Sequence, residues 1–178
     1  MADARPLEPA TVRQFCTFRL GRHLCGVDIR GVKEVNTHTA FTRVPHAPSA
    51  VCGYVNLRGQ IYLAVDLRNL LGLDSAPVTP DSRLIIFKPA LGEAFGGLVD
   101  RVGDIVTLGP DAIEDTRTDV RSGPDPADRL GRAGRFVAGV GKLDGELVVL
   151  MRAEKFLDAV RELVQGKDLG MTQNPRAS

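Results

Sequence analysis

A shift of seventy residues carries Val32-Lys33-Glu34-Val35 onto Val102-Gly103-Asp104-Ile105, and with it Ile29 onto Val99 and Gly26 onto Gly96. A shift of eighty-six carries Gly53 onto Gly139, Val55 onto Gly141, Leu57 onto Leu143, Gly59 onto Gly145 and Ile61 onto Leu147, so Asn56-Leu57-Arg58-Gly59 is echoed by Lys142-Leu143-Asp144-Gly145. Leu84–Phe87 takes the place of Phe15–Phe18. Two copies at so long a spacing do not make a solenoid; they imply two similar small β units, each with its own core. The strands in each half are short and closely spaced, which favours closed barrels over open sheets, because closure removes exposed edges. With 178 residues, 43% of them hydrophobic, the chain can bury such cores.

In chain order, Gln14–Leu20 and Leu24–Ile29 read as antiparallel strands about the turn Gly21-Arg22-His23. Cys16 and Cys25 then lie on paired strands, where free cysteine most often serves as a small buried side chain. Gly31–Asn36 continues as a strand, and Thr37–Ser49 is irregular, since Pro45 and Pro48 suit neither helix nor central strand. Gly53–Leu67 reads as a hairpin with its corner at Arg58-Gly59-Gln60 and a return strand buried on both faces, followed by a helical turn over Arg68–Leu71 that Gly72 ends. Thr116–Arg135 mixes arginines with aspartates around Gly123-Pro124 and Pro126 and reads as a long loop. From Arg152 to Gln165, Phe156, Leu157, Val160, Leu163 and Val164 recur at helical spacing, with Gly166 as a stop. The chain thus divides into a tail over residues 1–13, a folded region over 14–165 with subdomains at about 32–83 and 84–150, and a tail over 166–178. The first strands and the last helix are expected to pack across the two subdomains.

The formal net charge of +1 supplies no electrostatic reason for a nucleic-acid or membrane partner, and seven Phe, two Tyr and no Trp offer little for stacking bases. No signal peptide, membrane span or direct membrane contact is read. Cys16, Cys25 and Cys52 lack metal spacing, and three reduced thiols suit the cytosol. His23, His38 and His46 are irregularly spaced near turns. Gly139-Val140-Gly141 lies inside a hairpin instead of opening a helix, and no phosphate loop or nucleophile with an evident base is present. Asp28, Asp66 and Asp100 stand at strand ends, where bonds to turn amides account for them without catalysis. No cofactor, metal site or enzymatic activity is expected.

Gly-x-x-Asn-Leu-Arg-Gly-x-Ile, followed by an apolar strand ending in Asp66-Leu67-Arg68, resembles the central signature of the CheW family, the adaptors of bacterial chemotaxis. Further landmarks are Phe15–Leu20, Gly26-Val27-Asp28-Ile29, Val32-Lys33-Glu34-Val35, Arg43-Val44-Pro45 and Gly97-Leu98-Val99-Asp100-Arg101-Val102, and the likeness covers about residues 14–158. Three features depart from the family pattern: Leu63 replaces a common proline, Arg152 replaces an acidic residue or Asn before the last helix, and the Arg/Asp/Gly/Pro-rich segment is long. The resemblance implies a mainly β fold of two SH3-like five-stranded barrels packed together, with short helices and a C-terminal helix. It also implies a non-enzymatic cytoplasmic adaptor that couples methyl-accepting chemoreceptors to a CheA-type histidine kinase in membrane-associated arrays. The implied partners are the receptor's cytoplasmic tip, the kinase's regulatory domain and, in rings, other CheW-like domains. A scaffold of a non-flagellar chemosensory pathway, serving pili or development, is the alternative, and a nucleic-acid-binding barrel a weaker one.

Arg58 sits at the tip of an otherwise uncharged hairpin, where Asn or Asp would serve the turn equally well. The resemblance places Glu34 and Arg58 on the first barrel near the groove between the barrels, and an ion pair between them would hold the arginine in one orientation. The expected receptor-binding surface is Val32, Glu34, Val35, Val55, Asn56, Leu57, Arg58 and Gly59, with Val32, Val35, Val55 and Leu57 as an apolar floor for an amphipathic helix.

Overall fold

A computed structural model of the chain describes residues 11–37, 39–88, 94–115 and 133–169. Eleven strands and two helices occupy these stretches: β1 (Arg13–Leu20), β2 (His23–Asp28), β3 (Val32–Asn36), β4 (Val51–Leu57), β5 (Gln60–Asp66), α1 (Leu67–Leu71), β6 (Arg83–Phe87), β7 (Phe95–Val99), β8 (Arg101–Leu108), β9 (Ile113–Asp115), β10 (Val137–Leu143), β11 (Glu146–Met151) and α2 (Ala153–Leu169). The expected N-terminal tail through residue 10, His38, most of the expected loop (116–132) and the last residues, 170–178, lie outside the described residues.

The strands form two sheets of matching order, β8-β1-β2-β11-β10-β9 and β3-β6-β7-β5-β4. The internal repeat survives down to register. Leu63 pairs with Phe95 and Ala64 with Gly96 across the parallel β5–β7 ladder, just as Val149 pairs with Cys25 and Leu150 with Gly26 across β11–β2. A register shift between Val32 and Glu34 opposite β6 matches one between Cys16 and Phe18 opposite β8, and a second pair matches at Val51/Gly53 and Val137/Gly139. The counterpart of β9 in the first sheet is a single bridge, Thr42 to Tyr54. The second shift exists because another segment crosses close by. A Cβ on Gly53 would stand 2.2 Å from the Thr42 carbonyl oxygen, and one on Gly139 would stand 2.5 Å from that of Glu114.

Each sheet curls into an SH3-like barrel, but strands are exchanged between the halves. The β6–β7 hairpin completes the first barrel, which therefore runs from Val32 to Val99, while β1 and β2 join β8–β11 in the second. The expected division at 83/84 thus moves to Asp100; the ladders of β1 and β2 lie in the second sheet, while Cys16, Phe18, Cys25 and Val27 on them reach the core that the two barrels share. Val55, Leu57, Tyr62, Ala64, Leu84, Ile86 and Leu98 fill the first barrel. Phe15, Leu24, Leu108, Val148 and Leu150 fill the second.

A third and larger core lies between the barrels and contains the buried side of α2. It repeats the internal symmetry: Phe18 and Phe87, Cys25 and Phe95, Val65 and Met151, Leu70 and Phe156, and Leu71 and Leu157 occupy matching places. Phe87 stacks on Phe95 at 4.8 Å between ring centroids, and Phe156 lies 5.6 Å from Phe136 and 6.0 Å from Phe87. Ala133 and Phe136, placed by sequence in the loop's end and just beyond it, are buried in this core. Cys16 and Cys25 face Val27 and Phe18 across the β1–β2 ladder and are free thiols. Burial raises both thiols, Cys25 to about 12, so they stay protonated at neutral pH.

Both helices start from a strand end, and their caps differ. Asp66 accepts bonds from the amides of Arg68 and Asn69, and Gly72, at φ 74°, closes α1 by donating to the carbonyls of Arg68 and Asn69. At the matching position before α2 stands Arg152, whose side chain has no acceptor to offer. The helix runs through Gly166 to Leu169, so that glycine does not stop it and the expected tail from residue 166 begins helical. Phe156, Leu157 and Val160 are buried as the helical stripe predicts, whereas Leu163 is exposed.

Candidate functional site

The β4–β5 turn places Arg58 and Gly59 at φ 54° and 84°, the left-handed pair that a two-residue hairpin requires. Its counterpart uses Asp144 at φ 34° and Gly145 at φ 84°. Asn56 Oδ1 accepts the Gly59 amide at 2.8 Å and so fixes the turn from within. An aspartate in the equivalent turn suits αL backbone better than arginine does. The guanidinium at this position is therefore a choice that turn geometry alone does not explain.

Arg58 Nη1 donates to Glu34 Oε2 at 3.2 Å, the ion pair the sequence suggested. Its setting explains more than orientation. Strands β3 and β4 are the two edges of the first sheet, and β5 lies beside β4. Beside the ion pair, Lys33 Nζ donates to Tyr62 Oη at 2.7 Å and Gln60 Oε1 at 3.1 Å. Consecutive side chains of β3 therefore bridge to the β4–β5 hairpin across the open side of the curled sheet, where no backbone ladder closes it. The pair is solvent-exposed on the arginine side, so its contribution to folding is about 0–1 kcal/mol.

The expected apolar floor is not where the sequence put it. Val55 and Leu57 point into the first barrel's core and Val32 into the core between the barrels, and all three are buried. Only Val35, 41% exposed, presents apolar surface beside Glu34. Exposed apolar groups sit instead at Tyr54 and at Ile61, which is 63% exposed and overturns the two-sided burial expected of that end of the return strand. Val35 and Ile61 have exposed counterparts at the matching positions of the second barrel, Ile105 (58%) and Leu147 (56%). Strand alternation carries the missing signal: Tyr54 and Asn56 face out if Val55 and Leu57 face in.

The relative setting of the two barrels is held by charge as well as by apolar packing. Arg68 grips Asp100 with two bonds, Nε to Oδ1 at 2.6 Å and Nη2 to Oδ2 at 2.5 Å, and the Gly21 amide donates to Oδ2 at 2.6 Å. Burial alone would raise the Asp100 carboxyl, but the bonds from Arg68 and Gly21 and the arginine's charge outweigh it and hold the group below its usual range. Burial prevails at Asp66, whose carboxyl is raised despite its two amide donors. Asp28 accepts the Arg30 amide and is bonded by the side chains of Arg30 and Arg13, which keep it ionised well below the ordinary carboxylate range. All three strand-end aspartates are thus bound by turn amides, as the sequence predicted. Among the described residues, no group of three or more His, Cys, Asp or Glu could hold a metal ion, and no helix is long and apolar enough to cross a membrane.

Comparison with known proteins agrees with this architecture. The family model described as the CheW-like domain matches residues 14–161. The chemotaxis protein CheW of Rhizobium meliloti is 33% identical over 142 residues, covering 80% of this chain and 85% of that protein. The CheW of Klebsiella aerogenes is 30% identical over 161 residues, covering 89% and 90%. The crystal structure of scaffolding protein TtCheW from Thermoanaerobacter tengcongensis superposes with a TM-score of 0.67 at 28% identity, covering 82% of this chain and 92% of that one. Two barrels with exchanged hairpins, a charged hairpin tip and a family match spanning every strand and the first half of α2 lead to one conclusion: the chain belongs to the CheW family of chemotaxis scaffold and adaptor proteins, which are not enzymes.

Proposed function

We propose that this chain couples the cytoplasmic tips of methyl-accepting chemoreceptors to the regulatory domain of a CheA-type histidine kinase, working in the cytoplasm within membrane-associated receptor arrays. The observation that carries the reading is the presentation of Arg58: an exposed guanidinium on a strained turn, tied to Glu34 and flanked by exposed Val35. Glu34, Val35, Asn56, Arg58 and Gly59 form the receptor-facing surface, and Val32, Val55 and Leu57 support it from inside. The matching apolar positions Val35/Ile61 and Ile105/Leu147 give each barrel an end suited to another barrel, which favours the kinase's regulatory domain and, in rings, further CheW-like domains. The mechanism is geometric. A packed core and the Arg68–Asp100 clamp fix the angle between the two barrels, so partners docked on them keep a constant relation and a change in receptor conformation reaches the kinase.

Calorimetric titration with a soluble receptor-tip fragment and with the kinase's regulatory domain, both from the same genome, tests this. Arg58→Ala should weaken the receptor fragment about tenfold and leave the kinase domain unchanged, while Leu147→Lys should do the reverse. Failure of the wild-type protein to bind either partner refutes the coupling function.

A further inference from the structure

The internal repeat maps Arg68 onto Glu154, Asp100 onto Arg30 and the capping Asp66 onto Arg152, so the second half has no copy of the clamp that fills the first. At that place lies an open cavity of about 390 Å³. Four cations line it, each from a different element: Arg13 from β1, Arg30 from the turn after β2, Lys88 just past β6, and Arg152 ahead of α2. Two acids, Asp28 and Glu154, share the lining. Asp28 is fully engaged by Arg30 at 2.7 Å and by Arg13 at 3.2 Å, so one carboxylate is divided between two guanidinium groups. Arg13, Arg152 and Ala138 also border a smaller recess of about 170 Å³ that adds Asp115, and even then the cations remain in the majority.

The geometry points to this cavity as a binding site for a small phosphate-type oxyanion carrying two or more negative charges. Planar guanidinium groups and an ammonium converging from separate elements offer donors to several oxygens of one ligand at once. The carboxylate that Asp66 supplies in the first half is missing here, with a cation in its place, and a multivalent anion restores the balance. The site lies where the second barrel meets the ends of β3 and β6 in the first, and involves none of the proposed receptor-facing residues. It therefore stands or falls apart from the coupling reading.

The test titrates the full-length protein with pyrophosphate and follows the melting temperature and the binding heat, with sodium chloride at matched ionic strength as the control. Pyrophosphate should raise the melting temperature above the control. Arg152→Asp and Lys88→Ala should each weaken binding about tenfold, whereas Arg58→Ala should leave it unchanged. Lys88→Ala keeps the test decisive if Arg152→Asp alters the helix. No shift beyond the salt control overturns the proposal, as does a shift that survives both substitutions. Binding of a Glu-rich peptide without binding of pyrophosphate also overturns it, in favour of an acidic protein partner.

Discussion

Replacing Asp100 by Asn removes one charge from the clamp between α1 and the turns of β1–β2 and β7–β8 while keeping its shape. Arg68 and Asp100 have side chains 18% and 31% exposed, so the pair belongs neither with surface pairs, worth about 0–1 kcal/mol, nor with fully buried ones, where losing a partner costs about 3–5 kcal/mol. An intermediate loss of about 2 kcal/mol at pH 7 follows, or about 4–8 °C in melting temperature for a chain of this size. The pH dependence supplies an independent check. The folded-state carboxyl titrates below its unfolded value, so its contribution is fully present above the unfolded value of about 4 and is lost as pH falls through the lower folded value. Urea unfolding followed by circular dichroism should show wild type and Asp100→Asn about 2 kcal/mol apart at pH 7 and converging as pH falls below about 4. A double-mutant cycle with Arg68→Ala should return a coupling above about 0.5 kcal/mol. A variant within about 0.5 kcal/mol of wild type at pH 7, or a gap undiminished at low pH, refutes the reasoning.

Three further outcomes follow from the packing. Gly53→Ala puts a Cβ 2.2 Å from the Thr42 carbonyl oxygen at φ 137°, and should cost more than about 3 kcal/mol in urea unfolding, whereas Gly59→Ala, with open space around it at φ 84°, should cost about 1 kcal/mol. Phe156→Ala empties a fully buried position between the barrels and should cost about 3–5 kcal/mol, with both barrels melting in one calorimetric transition because they share that core. Arg58→Asn exchanges an exposed ion pair for a residue at ease in left-handed backbone, so its melting temperature should stay within about 3 °C of wild type.

The repeat in the sequence carried the architecture a long way, because matched apolar residues at two fixed shifts imply matched strands. It could not show which hairpin joins which barrel. Leu84–Phe87 aligns with Phe15–Phe18 whether the hairpins stay at home or change places, and only the pairing of Val32 with Phe87 and of Val102 with Phe18 decides the matter. The charged pair was legible because Glu34 and Arg58 interrupt apolar motifs without serving them and the family resemblance sets both on one barrel. The apolar floor differs from expectation for another reason: Val55 and Leu57 neighbour Asn56 and Arg58 in sequence, but the period of a strand sends the two pairs to opposite faces. Gly166 misled similarly, since a glycine within a helix lowers its stability without ending it unless the backbone turns left-handed there.

The exchanged hairpins make the first barrel an insertion within the second, and this orders the birth of the protein on the ribosome. The strands β3 to β7 follow one another in the chain and can pair as soon as they emerge, but β1 and β2, made before them, complete their sheet only when β8 and β11 arrive. Phe15 on β1 lacks its core partners Leu108, Val148 and Leu150 until β8 and β11 have followed the whole first barrel. Partners so far apart in the chain make closure of the second barrel slower than closure of the first.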